Sequence, residues 1–316
     1  MASSGSINFS LTRNEIINDA LVHCQAIAQG EIPSAEETSF AARQLNRMIK
    51  TFQATGVHLW TRRVAFLFTA PSQGRYTLGP GSSDHAAEQN DATNSTLSAD
   101  AASGAATVGL VSVTGIAVAD NIGVVLTDGT IDWDTVASIA SLTVTLTGTL
   151  SGAAAAGQPV YTYTTLLNRP LRVLSVQRAS KDDVDTPIAM VSHDEYQRLP
   201  NKTITGLTNE VYYQPQIPSG FIHLWPEPET AADRIRMTCD MPIEDFDATS
   251  DTADLPQEWL DTLTWNLAKK LMPGYGTPQD TAAMIRDEAN SSYATLAAWD
   301  AEPEDTSFAP DFERGA

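Results

Sequence analysis

Basic side chains are scarce in this sequence. Its 316 residues hold 19 Lys and Arg against 39 Asp and Glu, a formal net charge of −20. That balance argues against a general phosphate-gripping surface, because gripping a nucleic-acid backbone needs cations to displace its counterions. It suits a chain that repels nucleic acid or docks on a basic partner. Cysteine is nearly absent as well, with only Cys24 and Cys239. Each sits in an apolar pattern and reads as a buried free thiol; a single disulfide is the alternative, which nothing requires. No apolar run approaches the ~20 residues of a membrane span. The start, MASSGSINFSLTRNE, lacks a basic region followed by an apolar run, so the expectation is a chain without a secretion signal, made in the cytoplasm. Catalytic signatures are missing too. There is no GxSxG, Walker loop, HExxH, CxxC or GxGxxG. The five histidines are scattered. His223, between apolar residues of a strand, reads as a core or interface histidine.

What is present is enough apolar material for real cores, 42% of residues, in one large or two to three ordinary domains. Thr12 and Glu15 have capping-box spacing. Ile16, Ile17, Ala20, Leu21, Cys24, Ile27 and Ala28 follow at helical spacing to Gly30. Ser34 and Glu37 form a second capping box, and Phe40, Ala41, Leu45, Met48, Ile49 and Phe52 a second stripe up to Gly56. The short connection predicts an antiparallel αα-hairpin. Periodicity then switches to two. Val64, Phe66 and Phe68 share one strand face; Arg63, Ala65 and Leu67 share the other.

From Tyr76 to Asn168 there is no Lys or Arg. Residues 81–106 read as a flexible lead-in, followed by five short strands that suggest a small barrel or sandwich inserted between strands of the main domain. Thr127-Asp128-Gly129-Thr130 carries a hairpin-turn signal. Beyond it, RPLRVLSVQRAS predicts a strand, and MVSHDEYQRLPNKTITG and EVYYQPQIPSG a bulky loop. Phe221, His223 and Trp225 share a strand face, and ADRIRMTCD alternates with Ile235, Met237 and Cys239 inward. Near the end, Asp254 and Pro256 mark a helix start, and Leu260, Leu263, Leu267 and Leu271 its stripe. Lys269 and Lys270 fall in its expected last turn, and Pro273-Gly274 is expected to break it. Ile285, Ala289, Ser292, Leu296 and Trp299 then step in a heptad-like pattern.

Two acidic groups invite a chemical reading. Asp128, Asp132 and Asp134 could bind a cation such as Ca²⁺, although Asp-Gly is what the turn itself needs. Glu258 and Asp261 lie one helical turn apart, as paired carboxylates of a glycoside hydrolase do, although acids in a first helical turn also complement the helix dipole. Trp133 reads as barrel core or as a sugar platform. The final segment, AEPEDTSFAPDFERGA, is too polar to fold alone. It reads as a docking peptide with Phe308 and Phe312 as anchors and Glu304, Asp305 and Asp311 facing a basic rim.

The run EIINDALVHCQAIAQGEIPSAEETSFAARQLNRMIKTFQATGVHLWTRR resembles the N-terminal helical hairpin of head-to-tail adaptor proteins of short-tailed bacteriophages. SGFIHLWPEPE and ADLPQEWLDTLTWNLAKKLMPGYG are similar to later parts of the same family, in the same order. The resemblance covers roughly residues 7 to 79 and 169 to 302. It implies a virion structural protein at the capsid–tail junction, without catalysis or cofactor. Twelve copies would form a ring under the portal, with tail nozzle or fibre proteins below and DNA passing through without sequence-specific binding. The expected fold class is α+β: a helical bundle core with a small antiparallel β-sheet and an inserted all-β barrel or sandwich module. The expected domains are 1–79 (hairpin and first strands), 80–168 (inserted module), 169–302 (remainder, ending in two helices) and 303–316 (acidic portal-docking tail). Trp299 joins the tail residues as a docking candidate. Trp259, Trp265, Tyr275 and Tyr293 are the subunit-interface candidates, since aromatics dominate interface cores. The alternatives are a tail component whose β-module binds host-surface glycans, and a cell-wall hydrolase.

Overall fold

The computed structural model describes residues 5–6, 8–55 and 61–300. Among these residues there are five helices: α1 (Arg13–His23), α2 (Ala35–Thr55), α3 (His193–Arg198), α4 (Trp259–Tyr275) and α5 (Gln279–Trp299). The strands are β1 (Arg62–Phe68), β2 (Arg75–Leu78), β3 (Ala86–Glu88), β4 (Ala92–Thr96), β5 (Thr107–Gly109), β6 (Asn121–Val125), β7 (Ile131–Ala140) and β8 (Thr143–Leu146). They continue with β9 (Pro159–Tyr163), β10 (Arg172–Ala179), β11 (Asp185–Met190), β12 (Thr205–Gly206), β13 (Glu210–Gln214), β14 (Gly220–Trp225), β15 (Glu227–Pro228) and β16 (Arg234–Asp240). Two units result. Arg62–Pro242 form a β unit, and the described residues on either side of it form a helical unit.

The expected helical-bundle core with a small antiparallel sheet is overturned by the β unit, which holds three sheets and most of the buried residues among those described. The largest sheet has eight strands in the order β2-β14-β13-β11-β10-β16-β1-β3, antiparallel except for the parallel β11–β13 pair. Strands far apart in sequence share it, so no single stretch of chain displays its size. The sheet curls toward a barrel. One core holds Tyr76 and Leu78 from the β2 edge, Ala86 from the β3 edge, and Val176, Ile222, Leu224, Ile235 and Met237 between them. The segment between the edges ties them together. Asp84 accepts the Thr77 N–H at 2.6 Å, and the His85 carbonyl accepts the Phe68 N–H at 3.0 Å.

A six-stranded sheet follows, in the order β4-β9-β6-β7-β8-β5. It closes through a Leu97–Leu110 bridge flanked by Val111 N–H to Thr96 O at 3.0 Å and Ser98 N–H to Gly109 O at 2.9 Å. Leu97, Val108, Leu110, Ile122, Val124, Val136, Val144 and Val160 fill it. The β6–β7 hairpin turns where the Asp-Gly pair predicts, with Asp128 accepting from the Thr130 N–H at 3.0 Å and hydroxyl at 2.7 Å. The stretch read as a flexible lead-in instead contributes β3 to the large sheet and β4 to the small one. The expected bulky loop instead contains α3, capped by Ser192 and Glu195, and β13, which pairs with β14. A third sheet is the short pair β12-β15.

In the helical unit both capping boxes form, with Glu15 accepting the Thr12 N–H at 2.7 Å and Glu37 the Ser34 N–H at 2.8 Å. α1 ends at His23 rather than near Gly30, and Gln25 takes a positive φ of 58° just past the helix end. α4 is the centre of the unit and packs on α1, α2 and α5. It buries Leu263, Leu267 and Leu271 together with Thr262, Thr264 and Asn266. Asn266 stays satisfied by donating to Thr262 O at 2.9 Å and, on α5, to Ala289 O at 3.1 Å. Burying such an amide without partners would be costly. Pro273 does not break α4. The helix runs through it to Tyr275 and stops at Gly276, whose φ of 65° needs no Cβ relief. A proline this close to the end removes little of the hydrogen-bond ladder. Lys269 is therefore not in the last turn; its ammonium reaches Asn290 on α5 at 2.6 Å.

Trp259 is 0% exposed, with Phe52 at 6.3 Å between ring centroids and Tyr293 also at 6.3 Å. Trp259→Ala is expected to cost about 3–5 kcal/mol, the usual range for emptying a buried aromatic site. Urea unfolding followed by the helical circular-dichroism signal measures it, and Trp259→Phe should lose clearly less.

Candidate functional site

The β unit contains a polar and aromatic junction where the six-stranded sheet meets the eight-stranded one. β1 alternates across it: Ala65 and Leu67 point into the large core, Phe66 and Phe68 outward. Outside, Phe66 and Phe68 pack with Val125, Tyr161, Tyr163 and Trp133 of the six-stranded sheet. Arg234 on β16 is 3% exposed, lies 4.4 Å from the Phe66 ring centroid and 5.3 Å from that of Tyr161, and pairs with Asp183. A buried cation is tolerated when a carboxylate and aromatic faces replace its water. Beside it Arg236 pairs with Asp185 and lies 5.1 Å over Phe66.

His85 closes the other side. Its ring stacks on Trp133 at 3.8 Å and 6°, and its Nδ1 is 2.7 Å from the Tyr163 hydroxyl. Burial pushes its pKa down from 6.5 to about 4, against the opposing pull of Asp84. Burial also pushes the Tyr163 hydroxyl up to about 12. Trp133 is thus occupied on one face by His85. Gly123 on β6 makes room for it, since a Cβ there would meet the indole at 2.8 Å. The ring serves as packing within the unit rather than as an open sugar platform.

A second aromatic layer lies on β13, β14 and α3. Tyr212 and His223 stack at 5.5 Å, Tyr196 and His223 lie 5.0 Å apart, and His193 Nδ1 reaches the Tyr212 hydroxyl at 3.1 Å. Burial, then the Arg75 and His193 charges, hold the His223 pKa below its ordinary value. Phe221, on the same strand face, lies 4.6 Å from the Arg75 guanidinium. The shared face of Phe221, His223 and Trp225 was legible from alternation. The layer itself was not, because α3 supplies Tyr196 and its Ser192–Glu195 capping box sits in a stretch taken for loop.

The acidic groups are spread out. Asp128 caps its own turn, Asp132 accepts the Ser151 N–H at 2.7 Å, and Asp134 accepts those of Thr135 at 2.8 Å and Gly148 at 2.7 Å. Among the described residues no group of three His, Cys, Asp or Glu could hold a metal. Glu258 and Asp261 are exposed at the start of α4.

The subunit-interface candidates fall mostly inside the helical unit. Trp259 has no surface to offer a neighbour. Trp265 stacks on His23 at 4.1 Å and 18°. Tyr293 bonds Thr55 through its hydroxyl at 2.7 Å and lies 4.9 Å from Phe52. Tyr275 is half-buried against the same core. Trp299, at the end of α5, is 49% exposed. Glu304, Asp305, Phe308, Asp311 and Phe312 lie outside the described residues.

No family model matches the chain, and no curated protein matches it. Among solved structures it is similar to the Gp54 tailspike of Acinetobacter baumannii bacteriophage AP22, solved in complex with A. baumannii capsular saccharide. The identity is 14% and the TM-score 0.22, over 25% of this chain and 16% of the tailspike. It is also similar to VP17, a capsid protein of bacteriophage P23-77, at 11% identity and a TM-score of 0.11 over 58% of this chain and 76% of that one. At these TM-scores neither likeness bears on what the chain does.

Two measurements probe the junction. Arg234→Ala is expected to cost about 2–3 kcal/mol, less than for a pair buried on both sides, because Asp183 keeps access to water; urea unfolding checks it. His85 binds a proton in the unfolded chain before it does so in the folded one, so folding stability should fall as pH drops from 6.5 to about 4. His85→Phe should flatten that slope in unfolding curves recorded across the window.

Proposed function

We propose that this chain is a structural protein of a bacteriophage virion and, within it, the ring adaptor that joins the portal to the tail. The observation that carries the reading is where the quoted patterns fall. The αα-hairpin is α1 and α2 with both capping boxes formed. The LWPEP run ends β14 and continues into β15. LPQEW leads into α4, and LMPGYG ends it at the left-handed Gly276. The stretches that resemble the adaptors thus fall at the ends of elements of this fold, which supports the reading. His58, Leu59 and Trp60 of the first pattern lie outside the described residues.

The physical character of the chain supports the same reading. An adaptor lining a DNA channel must let phosphates slide past, and an acidic chain does not grip them. Ring closure requires two different faces on each copy. α5 has an outward side with Met284 and Trp299 exposed, on the way to the acidic C-terminal segment. In this proposal that segment meets the portal, about twelve copies close under it, and the six-stranded sheet faces tail components. Assembly is the mechanism.

The isolated chain is expected to run as a monomer in light scattering and to form rings when mixed with the portal protein encoded in the same genome. Removal of residues 303–316 should abolish ring recruitment while leaving the monomer folded. A tight oligomer of small, unrelated symmetry formed without the portal would overturn the proposal.

A further inference from the structure

The helical unit carries a groove that the adaptor reading does not use. It lies between α1 and the loop that leads into α2, with a volume of about 620 Å³. That size takes a few side chains of a bound segment. Its apolar wall is Leu11, Ile32 and Pro33, with Ile17 beneath. Ile32 is 89% exposed, on a loop held by a 2.9 Å bond from the Ala28 N–H to the Glu31 carboxylate. Around the rim stand Glu15, Asp19 and Glu31, with no Lys or Arg in the lining. Glu15 is engaged by the Thr12 cap, and that hydrogen bonding keeps its pKa low, so it stays charged at neutral pH.

An apolar wall beside three carboxylates, with no cation in the lining, selects its occupant by charge. An acidic segment, such as this chain's own C-terminal residues, is repelled. A neutral apolar one leaves the carboxylates to be desolvated without return. We propose that the groove docks a segment of a partner protein in which an aliphatic side chain sits between lysines or arginines. The aliphatic group covers Ile32 and Leu11 while the cations reach Asp19 and Glu31. Docking of this kind holds whether or not the chain is an adaptor.

The test uses the full chain and a fluorescein-labelled peptide amide with two leucines flanked by arginines, together with a twin carrying glutamates in place of the arginines. Fluorescence anisotropy should show binding of the basic peptide alone, weakening as salt is added. Asp19→Lys and Ile32→Asp should each weaken it by about tenfold or more, the usual weight of a central contact. Asp287→Lys, the same charge reversal on the exposed side of α5, should leave it unchanged. Equal weakening by Asp287→Lys would mean that net charge alone attracts the peptide, and would overturn the proposal. So would equal binding of the acidic twin or no binding of either peptide. Two other results would assign the groove to different occupants and also overturn it: self-association of the chain that Ile32→Asp abolishes, or peptide binding that appears only after residues 1–8 are removed.

Discussion

The β unit depends on two strands that are buried on both faces. β1 and β16 pair along their full length, from Arg62 opposite Asp240 to Phe68 opposite Arg234. On one face Ala65, Leu67, Ile235, Met237 and Cys239 complete the core of the curled sheet. On the other, Phe66, Phe68 and Arg234 seat the six-stranded sheet. A change on either strand is therefore felt in two cores, where close packing leaves little room to relax. Burial pushes the Cys239 thiol up to about 12, so this cysteine behaves as a small apolar side chain. In a chain with few cations, two arginines are committed to this junction, each held by an aspartate from the β10–β11 hairpin.

Much of the local structure was legible because its signals are local. Thr12 with Glu15 and Ser34 with Glu37 announce their helices through side chains that reach their own backbone. The alternation of Ile235, Met237 and Cys239 fixes which face of β16 points inward. The doubly buried β1 is visible in hindsight as the unbroken apolar run VAFLF, the mark of a strand covered on both sides. What escaped was non-local. The eight-stranded sheet draws on segments before and after the six-stranded one, and no periodicity records which distant strands pair. Pro273 shows the opposite failure: a strong local breaker sits close enough to the helix end for the helix to pass through it.

The candidate surfaces divide in the same way. Aromatic residues suggested exposed interface cores, yet Trp259, Trp265 and Tyr293 are used to hold α1, α2, α4 and α5 together. Composition cannot distinguish an aromatic that glues a unit from one that awaits a neighbour; only exposure does. By that measure Ile32, 89% exposed, is open and Trp259 is not. The carboxylates of the Asp128, Asp132 and Asp134 group likewise looked like ligands in one dimension, and in three each secures a separate turn or strand end.

The pairing of Arg62 with Asp240 has one more consequence. Those residues stand at the points where the chain enters and leaves the β unit, and their side chains approach to 3.7 Å. The helical unit, by contrast, joins partners such as Thr277 and Cys24 that are 253 positions apart in sequence. Left as free polymer, a connection that long would have to be closed against chain entropy. A folded β unit instead brings its two ends side by side, so that to α1, α2, α4 and α5 the whole of it counts as a short tether. An alteration deep inside the sheets can thus weaken the helices without touching any of them.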